Sequence, residues 1–145
     1  MIDMVKAMAG LGDEQRKTLL GERLRMFAEM PEAQRAQAMR DMMSALVTLP
    51  REGQKKLIAT RLTVLMELPD TQREKLMATH MQLMSGMPAE AQMGELEIVN
   101  ELVDALPPQA RAMAGAKMGG MISMLHDLHE RQGRSYGWCP SCSVG

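Results

Sequence analysis

Aromatic residues are nearly absent from this chain: Phe27, Tyr136 and Trp138 are the only three in 145 residues. β-Branched residues are scarce as well, which argues against a core built from strands. Cysteine is confined to Cys139 and Cys142, three positions apart. Two cysteines so close together exclude a disulfide framework and suit a reducing cytoplasm. No apolar run approaches the ~18 to 20 residues that cross a bilayer. The opening MIDMVKAMAGLGDEQ carries an acid at position 3 and no long apolar core, unlike a secretory signal. The expected compartment is therefore the cytoplasm. No block of lysine and arginine stands out from the formal net charge of −1, so a groove for nucleic acid is not expected. There is no Ser-His-Asp cue, no glycine-rich phosphate loop and no carboxylate pair set apart from the surface charge. The chain is not expected to be an enzyme.

Methionine is abundant instead. Its 18 copies take places that aromatics and branched aliphatics usually fill. Methionine and alanine favour helix, so the composition points to an all-α protein of one domain.

A repeat organises that domain. LGDEQR begins at 11, MPEAQR at 30, LPREGQ at 49, LPDTQR at 68, MPAEAQ at 87 and LPPQAR at 106, each nineteen residues after the last. Six phrases in one register make the chain a tandem array. Proline occupies the second place of five units, at 31, 50, 69, 88 and 107, with Gly12 in the first. It is expected at the first helical position, where its missing N–H costs nothing. Acids follow, including Asp13, Glu32, Glu52, Asp70 and Glu90, and complement the positive end of the helix dipole. The tenth place holds Leu20, Met39, Ile58, Met77, Leu96 and Gly115, and the seventeenth holds Phe27, Leu46, Leu65, Met84, Val103 and Ile122. Separations of three, four and seven put these columns on one face of a helix.

Short turns between helices of about 22 Å predict antiparallel neighbours. The expected architecture is antiparallel 19-residue helix-turn units, stacked as a short α-solenoid or a helical bundle. The repeat domain spans 1–132, with a half unit at 1–10, and a CxxC-bearing tail spans 133–145. The sixth unit contains Gly115, Gly119 and Gly120. These predict either a weak helix or a close approach of another backbone. The sixth place, Arg16, Arg35, Gln54, Arg73, Gln92 and Arg111, reads as a solvated edge. Met77, His80, Met81 and Met84 offer soft ligands for copper, but the methionines fall in apolar columns and read as core.

The chemistry gathers in HDLHERQGRSYGWCPSC, residues 126 to 142. His126 and His129 are three apart and share a helical face. Cys139 and Cys142 have the spacing by which a tight turn aims two sulfurs at one ion. Gly133 and Gly137 allow the chain between to bend back. Two imidazoles and two thiolates make a tetrahedral set for Zn²⁺. YGWCPSC resembles one knuckle of a zinc ribbon, which implies that Cys139 and Cys142 are ligands. WCPSC also resembles the thioredoxin-type active site, which implies thiol exchange. In that family the first cysteine starts a helix, and the three residues after Cys142 are too few for one.

The sequence thus predicts a non-catalytic helical-repeat adapter that binds a protein partner or itself, with a C-terminal zinc clasp. The alternatives are a metal carrier or sensor, with zinc before copper, and a thiol-redox accessory protein. Leu65→Asp tests the choice of inward face. It places a charge in an apolar column and is expected to cost about 4 kcal/mol or more. A thermal melt superimposing on that of the wild type would show that the wrong face has been assigned to the core.

Overall fold

The computed structural model describes residues 1–142. The chain is all-α, with eight helices and no strand among the described residues. α1 (Ile2–Ala9) is the expected half unit. α2 (Asp13–Glu29), α3 (Glu32–Leu46), α4 (Arg51–Glu67), α5 (Asp70–Ser85) and α6 (Ala89–Asp104) follow the nineteen-residue register. The sixth unit yields two helices, α7 (Pro108–Lys117) and α8 (Gly119–Gln132).

The helices form two compact units, Met1–Met87 and Pro88–Gly145. The division falls inside the stretch read from sequence as one repeat domain. In the first unit, α2 packs on α4 and α5, α3 on α5, and α1 on α3 and α4. In the second, α8 packs on α6 and α7. The apolar columns supply both cores. Leu20, Phe27, Met39, Leu46, Ile58, Leu65 and Met84 are buried in the first, and Leu96 and Val103 in the second. Val5 and Met8 bury the half unit.

Each proline lies one place earlier than its sequence position suggested. Pro31, Pro50, Pro69, Pro88 and Pro107 are N-caps with φ between −55° and −58° and ψ near 150°, outside the helix proper. Their carbonyls accept the first helical bonds, from the backbone N–H groups of Arg35, Gln54, Arg73, Gln92 and Arg111. Proline also pushes the residue before it into extended backbone. Met30 and Leu68 show the effect, with ψ of 152° and 151°. Two extended residues end one helix and begin the next.

The sixth place is not a solvated edge. Arg16, Arg35 and Arg73 are buried. Arg16 donates from Nε to the Met8 carbonyl at 3.1 Å and from Nη2 to the Leu11 carbonyl at 2.6 Å. Arg73 donates to the Leu68 carbonyl at 3.1 Å, Gln54 to the Leu49 carbonyl at 2.9 Å and Arg111 to the Asp104 carbonyl at 3.2 Å. The last carbonyls of a helix have no partner within it. A long donor one turn into the next helix reaches either such a carbonyl, as at Met8 and Asp104, or one in the turn that follows, as at Leu11, Leu49 and Leu68. Arg16 and Arg73 are held in place by Asp13 and Asp70, three residues earlier on the same helix.

The glycine-rich unit breaks at Met118, which has φ −130° and ψ 49° and caps both α7 and α8. Its side chain is buried. A Cβ added at Gly119 would meet nothing within 4 Å. Gly119 therefore weakens the helix without admitting another backbone, and the break follows from poor propensity combined with the burial of Met118.

Removing one of the turn donors tests their weight. Arg16→Ala removes the side-chain donor from the Leu11 carbonyl and one of two donors from the Met8 carbonyl, and is expected to cost about 1–3 kcal/mol. Urea denaturation reads the change, and an unshifted midpoint would reduce the arginine column to surface decoration.

Candidate metal centre

α8 continues through both histidines and stops at Gly133, whose φ of 64° is left-handed. The Arg134 N–H bonds to the His129 carbonyl at 3.0 Å and the Gly133 N–H to the Glu130 carbonyl at 3.1 Å. This Schellman pair reverses the chain direction. Residues 134 to 142 then run back towards the face of α8 that carries His126 and His129.

The return brings all four sequence-predicted residues together. One donor atom from each of His126, His129, Cys139 and Cys142 lies within 4.8 Å of the others. His129 Nδ1 is 3.1 Å from Cys142 Sγ, His126 Nδ1 is 3.5 Å from the same sulfur, and His126 Nδ1 is 3.9 Å from Cys139 Sγ. Zinc bond lengths of about 2.3 Å to sulfur and 2.0–2.1 Å to nitrogen give a tetrahedron with N–S edges of about 3.5 Å. The observed separations bracket that value. The expected tail is thus a folded loop as far as Cys142, and residues 143–145 lie outside the described residues.

The turn is tight. The Cys139 N–H bonds to the Tyr136 carbonyl at 3.0 Å and the Cys142 N–H to the Cys139 carbonyl at 3.1 Å. The backbone N–H groups of Ser141 and Cys142 also point at the Cys139 sulfur. Cys139 and His129 are fully buried, whereas Cys142 and His126 are half-buried. Tyr136 lies against the His129 ring at 4.3 Å between centroids, and Trp138 meets it edge-on at 5.4 Å.

Sequence reasoning missed the groups behind the histidines. His129 Nε2 is 2.7 Å from Asn100 Oδ1. An amide oxygen can only accept, so Nε2 carries the proton and Nδ1 turns its lone pair towards the sulfurs. His126 Nε2 is 3.1 Å from Glu130 Oε1, which accepts from the ring and leaves Nδ1 facing the sulfurs. Trp138 Nε1 donates to Asp104 Oδ1 at 2.8 Å. Asn100 and Asp104 are four apart on α6 and anchor, respectively, the His129 ring and the loop that carries the cysteines. Glu130 was discoverable, since His126 and Glu130 stand at helical i, i+4 spacing. Asn100 lies 29 residues from its imidazole, and no local spacing connects them.

Electrostatics divides the four. Hydrogen bonding to the Cys142 sulfur raises the His126 pKa, and the Glu130 carboxylate adds to that. Burial lowers the His129 pKa, and nearby His126 lowers it further. Burial raises the Cys139 thiol. At Cys142 burial also acts upward, but the Tyr136 N–H, His126 and Cys139 outweigh it and the pKa falls. Burial thus works against charge on His129 and Cys139, while the hydrogen bonds around Cys142 favour its ionised form.

The family model described as Protein of unknown function (DUF3106) matches residues 1–78. The match lies wholly within the first unit and ends before the histidine and cysteine cluster begins. No curated protein and no solved structure matches the chain.

The role of Asn100 is open to measurement. Asn100→Leu leaves the His129 ring without its outer acceptor and is expected to weaken metal binding about 10–100-fold. Asn100→Asp keeps an acceptor there and should stay close to the wild type. Competition with a chromophoric chelator reads the affinities. Equal affinity for Asn100→Leu and wild type would leave Asn100 without a part in binding.

Proposed function

We propose that this chain, which belongs to the DUF3106 family, is a non-catalytic helical-repeat protein whose C-terminal unit is closed by one zinc ion and whose helices bind a protein partner. The observation that carries the metal assignment is the convergence of two imidazole nitrogens and two sulfurs within 4.8 Å. Zinc suits a mixed nitrogen and sulfur set in a tetrahedron, and four protein ligands leave no open position for substrate. The outer acceptors Asn100 and Glu130 belong to the same reading, since metal-bound imidazoles commonly donate their second N–H to such groups. The adapter role rests on architecture: helical repeats expose side chains in a regular array on which another protein can dock. A cytoplasmic location belongs to the same reading, since a close cysteine pair there more often binds metal than forms a disulfide.

One observation favours a second reading. Cys142 and His126 are half-buried, so the ion would be reached from one side. A site open to exchange belongs to a carrier or sensor rather than to a permanent staple. The thiol-redox reading uses the same two cysteines without the histidines.

Metal content by mass spectrometry separates these readings, on protein purified without a histidine tag. About one Zn²⁺ per chain is expected in the wild type and none in Cys139→Ser or His126→Ala. Loading should fall on acidification, because protons compete for the same donor atoms. Loss with the cysteine change alone would leave the histidines outside the site. A wild type without metal, whose thiols cycle with a disulfide, would move the chain to the redox class.

A further inference from the structure

Leu19 and Met26 hold the ninth and sixteenth places of the first full unit. In α4 the same places hold Leu57 and Val64, which are buried, and α4 packs against α1 and α2. On α2 they are exposed, Leu19 by 46% and Met26 by 45%. They line a groove of about 360 Å³ together with Met4, Met8, Glu22 and Arg23. Terminal repeats of a helical stack normally end on a polar face. Here the columns that form core elsewhere lie open, with one acid and one base between them.

We propose that this face of α2 pairs with the same face of a second copy of the chain, antiparallel, about a two-fold axis passing between Glu22 and Arg23. The spacing of the four residues selects this arrangement. An axis midway between positions 22 and 23 sets Leu19 opposite Met26 of the second copy, and Glu22 opposite its Arg23. Both relations hold twice, as a closed isologous contact requires. Parallel pairing would set Glu22 against Glu22 and Arg23 against Arg23, and like charges face to face oppose association. Leu19 and Met26 are about 10.5 Å apart along the helix, so the two apolar contacts flank the charged pair. Arg23 donates to the Met4 sulfur, a weak acceptor that it can exchange for a carboxylate. The proposal draws nothing from the metal cluster, which belongs to the other unit.

Sedimentation equilibrium of the full chain, from micromolar to near-millimolar concentration, tests it. The wild type should pass from monomer to dimer, and Leu19→Glu should remain monomeric. Glu22→Arg and Arg23→Glu should each weaken the dimer about tenfold or more. The double variant E22R/R23E should regain the wild-type constant, because the reversed pair is again complementary. These side chains lie at the surface, and circular dichroism should report unchanged helix in every variant. A wild type that stays monomeric throughout, or a dimer indifferent to Leu19→Glu, overturns the proposal. So does a double reversal that remains as weak as either single one.

Discussion

Each helix among the described residues ends by leaving carbonyl oxygens without an intrahelical partner, and connections of one to four residues leave little backbone with which to satisfy them. The long donor at the sixth place of the unit answers this need. Arg16, Gln54, Arg73 and Arg111 each reach back to a carbonyl of the turn or of the helix end before it. The bond spans the junction between one repeat and the next, so it fixes the turn as well as capping the helix. Proline acts on the same junction from the other side, setting φ at the N-cap and extending the residue before it. With the turn held at both ends, the apolar columns of successive helices arrive in register, and the core can be assembled from side chains as adaptable as methionine.

The second unit uses the same grammar until its sixth repeat fails at Met118. The break divides a helix that would have run through the unit and leaves α8 as a separate element bearing both histidines. Gly133 then turns the chain so that the cysteines come back to the face those histidines share. A weak helix and a left-handed glycine determine where two imidazoles and two thiols meet. Asn100, Glu130 and Asp104 complete the arrangement by holding imidazole and indole N–H groups. The cluster is thereby tied to α6 as well as to its own helix.

Much of this was legible in the sequence. The repeat phrases marked the helices because proline, an acid and an apolar column recur at fixed places. The four clustered residues stood out because imidazole and thiol are rare in this chain and were gathered in seventeen positions. The burial of the arginines was not legible. A guanidinium at a helix start looks the same on paper whether it faces water or a carbonyl, and only the path of the preceding turn decides. The split at Met118 was half visible, since glycines announce weakness but not the point of rupture. Asn100 was invisible because its contact depends on how α6 packs against α8.

Trp138 is the only tryptophan in the chain, and it sits next to Cys139 with its indole bonded to Asp104. Its emission is therefore an optical signal from the C-terminal unit alone. Far-ultraviolet circular dichroism, by contrast, is dominated by the longer array of α1 to α5. The two spectroscopies look at different halves of one polypeptide. Where their unfolding curves part company, the gap between them measures how independently the two units melt.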